Sequence, residues 1–331
     1  MSEYEDTKGQ FRCIRVLYGM IMYMTKKISV VVPVYFNALS LPALFDRLDQ
    51  LKIELSKISL TLEVVAVDDG SKDNSFETLC DLSKKYGFLK TYQLTKNFGE
   101  ATASKFGLRK ITGDAFSVLA ADLQDPPEVI LDMAKTWLEG NSYVICERTK
   151  RNDPIFSKFL ANLYYNFLTK FIMPTYPKKG FDLFLMDSKY LPVINDSSKS
   201  SSIPLILSWI GIEPKKIRYV RQTREHGKST WTLLKRINLL LDVLFSFSRK
   251  PIRIVSSIGA ITALGGLIYG ITVIIERLNG TTGSQGTASL IALVAFTSGL
   301  VLLTLGIIAE YIWRIWDEVN SRPDGIEKFN D

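Results

Sequence analysis

Two runs toward the C-terminus, Ile254–Ile275 and Ala288–Ala309, contain no charged residue, and they limit what this chain can fold into more than any other feature. Each is about 22 residues, enough at ~1.5 Å per residue to cross a ~30 Å hydrocarbon layer. Neither has the polar face that a soluble amphipathic helix needs, so both read as membrane spans. The link between them, Glu276–Gly286, is short and polar, which makes the pair a helical hairpin. Arg249, Lys250 and Arg253 precede it, and Arg314, Arg322 and Lys328 follow it. The link holds only Arg277, offset by Glu276. This basic bias predicts that both termini and the globular part lie on the cytoplasmic side. Tyr311, Trp313 and Trp316 suit the interfacial belt. Gly266 and Gly270 form a small-xxx-small pair that permits close helix packing, and with it self-association through the membrane helices.

The rest of the chain is polar: 23% of its 331 residues are charged, although the mean hydropathy is slightly positive. A net charge of +7 favours phosphate-bearing partners or an anionic membrane surface. No nucleic-acid partner is expected. Cys13, Cys80 and Cys146 have no metal-ligand spacing, and so sparse and odd a set argues for a reducing compartment. The lone histidine, His226, cannot build a His-based metal site. The expected organisation is an N-terminal extension (1–25), an α/β domain (26–230), a juxtamembrane amphipathic helix (231–250) and the hairpin with its tail (251–331), the spans being 254–275 and 288–309.

From Ile28 the pattern alternates. Strands are expected at Ile28–Val34, Leu62–Val67, Leu89–Leu94, Phe116–Ala121, Tyr143–Glu147, Phe181–Met186 and Lys215–Val220. Helices are expected at Leu39–Ile53, Phe76–Lys85, Glu100–Ile111, Glu128–Leu138 and Ile203–Ile210. Continuous apolar strands between helices imply a mostly parallel sheet covered on both faces. Ile155–Met173 reads as a core-facing amphipathic helix, with a membrane-surface helix as the alternative. Trp231–Phe247 is amphipathic and runs directly into the first span.

The chemistry-bearing residues stand at strand ends. Pro33-Val34-Tyr35 ends the first strand, Asp68-Asp69-Gly70 the second, Asn97-Phe98-Gly99 follows the third, and Asp122-Leu123-Gln124 follows the fourth. In an open α/β sheet such ends converge on one crevice, where ligands bind. A carboxylate at Asp122 with a second oxygen at Gln124 suits a hard cation, Mg²⁺ or Mn²⁺, on a diphosphate. The alternative is an ordinary strand-to-helix turn, with Asp122 or Asp125 as N-cap and proline in the first helical turn.

The segments VVPVY (Val31–Tyr35), VDDGSKDNS (Val67–Ser75), KNFGEATA (Lys96–Ala103) and DLQDPPE (Asp122–Glu128), with a two-helix membrane tail, resemble glycosyltransferase family 2 and, within it, the polyprenyl-phosphate glycosyltransferases. The resemblance runs from about Lys26 to the end of the second span. It implies a GT-A (Rossmann-like) fold and an inverting transfer of sugar from a nucleotide diphosphate sugar, UDP-glucose first, to a polyprenyl phosphate at a bacterial inner membrane. On that pattern Pro33, Tyr35, Asp68, Asp69, Asn97 and Asp122 bind the nucleotide, while Asp122 and Gln124 hold the metal. Many members carry another Asp two positions before Asp122, where this chain has Ala120, so its cation has one fewer negative partner. Asp182, in KGFDLFLMD (Lys179–Asp187), matches the family's carboxylate near the acceptor. A phosphate nucleophile with a second pKa of about 6 is already deprotonated at neutral pH, so Asp182 is expected to orient rather than to abstract a proton. Arg148, Arg151, Arg224, Lys228 and Ser229 match the basic and polar positions expected around the acceptor phosphate, Arg148 and Arg224 also offsetting charge in the transfer step. A solvated juxtamembrane patch on anionic lipid is the alternative for the basic loop.

Two other functions remain open on sequence: a processive polysaccharide synthase on the same fold, and a non-catalytic membrane protein that binds a nucleotide sugar. The first usually shows a Gln-x-x-Arg-Trp motif, which Gln222-Thr223-Arg224-Glu225 does not provide. The second has only Ala120 in its favour.

Overall fold

The computed structural model describes residues 25–149, 165–166, 168–177, 180–197, 202–220, 250–279, 286–320, 323 and 325–328. They form two compact units, an α/β unit that also takes in the C-terminal tail from Pro323, and a helical unit within Trp231–Arg322.

The α/β unit alternates β1 (Lys26–Val34), α1 (Leu41–Ser56), β2 (Leu60–Asp68), α2 (Ser75–Lys85), β3 (Leu89–Gln93), α3 (Glu100–Leu108), β4 (Ala115–Val118), α4 (Val129–Leu138) and β5 (Tyr143–Arg148). A π-helical turn at Leu168–Ile172 precedes β6 (Leu183–Asp187), a 3-10 turn at Ser188–Tyr190, α5 (Leu191–Asn195), α6 (Ile203–Trp209) and β7 (Lys215–Tyr219). The seven strands stand in the order β3-β2-β1-β4-β6-β5-β7. All pairings are parallel except those of β6, which runs antiparallel to both β4 and β5.

Both faces of the central strands are covered, which is why they read as unbroken apolar runs. Val30, Val32, Val34, Val64 and Ala66 share one core with Leu44, Leu48, Leu79, Ile130 and Trp137, which come from α1, α2 and α4. The opposite face meets α3, where Gly107 lies against Val31 and Val67. Each buried Val or Leu contributes about 1.5–3 kcal/mol relative to exposure. Toward the N-terminal ends of the strands, buried Glu63 accepts hydrogen bonds from Ser29 Oγ, Lys90 Nζ and Thr112. Burial pushes its carboxyl up, but these bonds outweigh that and hold it at about 2.

Several boundaries differ from expectation. α3 stops at Leu108 rather than Ile111, because Thr112 is drawn to Glu63 and Gly113 N donates to Ser29 Oγ. β4 ends at Val118 rather than Ala121. The expected helix at Ile155–Met173 lies mostly outside the described residues, as do Trp231–Phe247 and residues 1–24.

The helical unit contains α7 (Lys250–Leu278, 29 residues) and α8 (Gly286–Val319, 34 residues), which pack on each other. Both are long and apolar enough to cross a membrane, over Ile252–Thr272 and Phe296–Val319, and almost none of that surface is buried. Glu310 and Arg314 neutralise one another at 2.9 Å beyond the charge-free run. Trp313 and Trp316 stack with centroids 5.0 Å apart. Among the described residues, a Cβ built on Gly266 or Gly270 would meet nothing within 4 Å.

Candidate active site

Strand direction gathers the site. The C-terminal ends of β3, β2, β1 and β4 lie along one edge of the sheet. Because β6 is reversed, its first residues lie on that same edge, and β5 and β7 end there with Arg148 paired to Tyr219.

On the β2 side, the carboxylate of Asp68 is fully buried; Oδ2 accepts from Ser71 N and Gln93 Nε2, while Oδ1 has no hydrogen-bond partner. Asp69 points the other way. Its two oxygens accept from Phe98 N (2.7 Å) and Gly99 N (2.8 Å), so its work is to hold the Asn97–Gly99 turn. Burial and neighbouring Asp68 keep its carboxyl above the usual range against the pull of those two amides. Gly70, at φ 67, lets the turn approach: a Cβ there would lie 2.5 Å from the Lys96 carbonyl carbon. Ser71 and Ser75 hydroxyls accept from Phe36 N and Asn37 N, lacing the loop after β1 to the loop after β2. Pro33 is buried within β1, whereas Tyr35 and Asn97 are exposed.

After β4 the chain turns through Asp122–Asp125 with Leu123 at φ 60, a conformation costing a leucine roughly 1–2 kcal/mol. Ser40 Oγ braces this turn on the Ala121 carbonyl at 2.7 Å. Neither aspartate caps the next helix: α4 has Glu128 at its N-cap and no side-chain cap bond. Asp122 Oδ1 accepts from Gln124 N, and Asp125, nearly buried, accepts the Tyr219 hydroxyl at 2.6 Å. Glu100, exposed at the start of α3, lies within electrostatic reach of this turn; desolvation together with the charges of Asp122 and Asp125 raises its carboxyl.

Across the edge, Arg148 grips Asp182 with two parallel N–H donors, Nε and Nη2. The Tyr219 hydroxyl lies 3.1 Å from Asp182 Oδ2 as well as bonding Asp125. Burial and both carboxylates push that hydroxyl far above its ordinary pKa, so it stays protonated. Tyr219 thus joins the Asp122–Asp125 turn to the Arg148–Asp182 pair. Sequence reading missed Tyr219 and Glu100; the signal for Tyr219 was its place at the last strand's end. Arg151, Arg224, Lys228 and Ser229 lie outside the described residues.

An α/β sheet with carboxylate turns at its strand ends and an arginine–carboxylate pair beside them, in a chain with two membrane-length helices, is the arrangement of a GT-A glycosyltransferase. The chain belongs to glycosyl transferase family 2, whose profile matches residues 29–188, and its profile match over residues 250–315 is the GtrB C-terminal hairpin. It is 35% identical to the uncharacterized glycosyltransferase YkcC of Bacillus subtilis, over 89% of this chain and 91% of that protein. It is 32% identical to the SfII prophage-derived bactoprenol glucosyl transferase of Shigella flexneri, over 91% and 97%. It is also 32% identical to the undecaprenyl-phosphate 4-deoxy-4-formamido-L-arabinose transferase of Serratia proteamaculans, over 90% and 92%.

Proposed function

We propose that this glycosyltransferase moves a hexose from a nucleoside diphosphate sugar, UDP-glucose first, to a polyprenyl phosphate of the undecaprenyl type at the cytoplasmic face of a bacterial inner membrane. The observation that carries the proposal is the meeting of the Asp122–Asp125 turn with the Arg148–Asp182 pair through Tyr219. One side suits a diphosphate, the other a second phosphate. The relatives named for bactoprenol and undecaprenyl phosphate support the lipid acceptor, and the first of them supports glucose. The basic residues that flank the hairpin in sequence, Arg249, Lys250 and Arg253 before it and Arg314, Arg322 and Lys328 after it, support the cytoplasmic side for both ends.

In the reaction, an oxygen of the lipid phosphate attacks the anomeric carbon, the bond from that carbon to the diphosphate oxygen breaks, and the nucleoside diphosphate leaves with the electron pair. Configuration at the anomeric carbon inverts. The acceptor phosphate needs no base, so Asp182 holds Arg148 in a fixed pose toward the reacting oxygens. Asp68, with an unpartnered buried oxygen, and exposed Tyr35 offer a hydrogen-bond acceptor and a ring face to the nucleoside. Among the described residues no three His, Cys, Asp or Glu side chains could hold a metal by themselves. Asp122 and Gln124 fit a hard divalent ion that draws its other ligands from diphosphate and water. Bound there, Mg²⁺ or Mn²⁺ supplies positive charge to the leaving diphosphate.

The test is transfer of radiolabel from a panel of nucleotide sugars into organic-extractable lipid with a short-chain polyprenyl phosphate. Label in a single-sugar lipid is expected; a growing polymer, or no incorporation from any donor, overturns the proposal. Tyr219→Phe is expected to lower kcat about 10- to 100-fold, the size of one hydrogen bond to a carboxylate (~1.5–3 kcal/mol), with nucleoside diphosphate binding unchanged. Steady-state kinetics alongside a thermal melt would check this.

A further inference from the structure

β3 is one of the two outer strands of the sheet, and its end does not stay bare. Leu94 forms an antiparallel bridge with Glu327, Thr95 N donates to the Ile326 carbonyl at 2.9 Å, and Lys328 N donates to the Gln93 carbonyl at 2.7 Å. The Glu327 carboxylate meets Lys110 Nζ at 3.1 Å, just past α3, and Gly325 lies against Leu94 and Thr102. The C-terminal tail therefore adds a short strand to the sheet, the geometry by which extended segments augment exposed edges.

What it touches gives it a role. Gln93, whose carbonyl it binds, reaches with its side chain to Asp68 Oδ2. Leu94 is buried and donates its N–H to the Asp68 carbonyl. Between Thr95 and α3 runs the Lys96–Gly99 turn, held on its other side by Asp69. Removing the strand leaves Gln93, Thr95 and Lys110 without these partners, next to the residues assigned to the nucleoside.

We propose that Ile326–Lys328 are positioning residues of the donor site, so that a segment beyond the membrane hairpin sets the affinity for the nucleoside diphosphate. The proposal rests on the donor reading above. It acts through Gln93, Leu94 and Lys110 and leaves the acceptor side, at Arg148 and Asp182, untouched.

The test compares the full chain in detergent with a chain ending at Arg322 and with the full-length Lys328→Pro variant, which loses the N–H bonded to Gln93, alongside Lys328→Ala, which loses the side chain and keeps that N–H and is expected to bind UDP like the full chain. UDP binding by calorimetry and the separate KM values for donor and acceptor are the readouts. Truncation is expected to weaken UDP binding and raise donor KM about tenfold, the scale of two backbone hydrogen bonds and one partly exposed ion pair, with acceptor KM unchanged. Lys328→Pro is expected to raise donor KM about threefold on the same scale. A peptide of residues 323–331 at millimolar concentration should restore binding to the truncated chain. Equal UDP binding by the full, truncated and Lys328→Pro chains overturns the proposal, as does an equal rise in both KM values. Failure of the full chain to bind any nucleoside diphosphate would instead overturn the donor reading itself.

Discussion

Asp122→Asn is expected to lower kcat about 10²- to 10³-fold, the cost of removing one group that stabilises charge in a transition state. The substitution is a clean probe because asparagine keeps the side-chain oxygen that accepts from Gln124 N, so the turn can persist. Helix capping is not at stake either, since α4 takes no side-chain cap from this residue. What is lost is a negative charge at the end of β4, in a chain where position 120 is alanine. Glu100 lies close enough to feel Asp122, and the loss should ease the strain on its carboxyl without placing that group at 122. The measurement is turnover together with UDP binding as Mn²⁺ is varied. Binding should need more Mn²⁺ in the variant; unchanged turnover would end the assignment of this turn to the diphosphate.

Arg148→Ala is expected to do more damage than Asp182→Asn, although the two residues form one pair. Losing the guanidinium leaves a carboxylate with about a fifth of its side chain exposed, beside Asp125 and a tyrosine that has one proton to give. Stranding a buried charge costs about 3–5 kcal/mol, and partial exposure brings this to about 2–3 kcal/mol of stability. Activity should fall about 10³-fold, since the cation that offsets phosphate repulsion is gone as well. Asp182→Asn keeps the shape, so at pH 8 about a tenfold loss is expected, with acceptor binding retained. A loss of several orders there would mean that Asp182 removes a proton. The double variant Arg148→Ala/Asp182→Asn should melt above Arg148→Ala alone, because the stranded charge is gone.

Local pattern revealed much of this molecule. The seven strands, the charge-free helices and the turns at Asp68-Asp69 and Asp122–Gln124 each announce themselves within a few residues, because side-chain period and turn chemistry are local properties. The reversal of β6 is not local. It follows from how Leu183–Asp187 fits between β4 and β5, and it is this reversal that brings Asp182 beside Arg148. Tyr219 was invisible for the same reason: a tyrosine ending a basic strand acquires its role only when β7 lies beside β5. Asp69 shows the converse. Its neighbourhood in the motif suggests a ligand contact; that both oxygens also accept from the amides of Phe98 and Gly99 becomes visible only once the fold brings the turn after β3 beside it. The tail at Ile326–Lys328 carries no motif, and its pairing depends on the bareness of an edge more than 200 residues upstream, as the span from Lys110 to Glu327 shows.

The inward turn of Asp69 also decides how this enzyme must manage phosphate. In dinucleotide folds the positive end of a helix dipole receives the pyrophosphate. Here the start of α3 already faces two resident carboxylates, Asp69 on the amides of Phe98 and Gly99, and Glu100 in the first turn. That helix has spent its attraction for anions on the protein itself. Under the proposed reaction, countercharge for the substrate then falls to side-chain cations and to a divalent ion at Asp122 and Gln124, which would leave turnover open to control by ion supply in a way a helix-cradled phosphate is not.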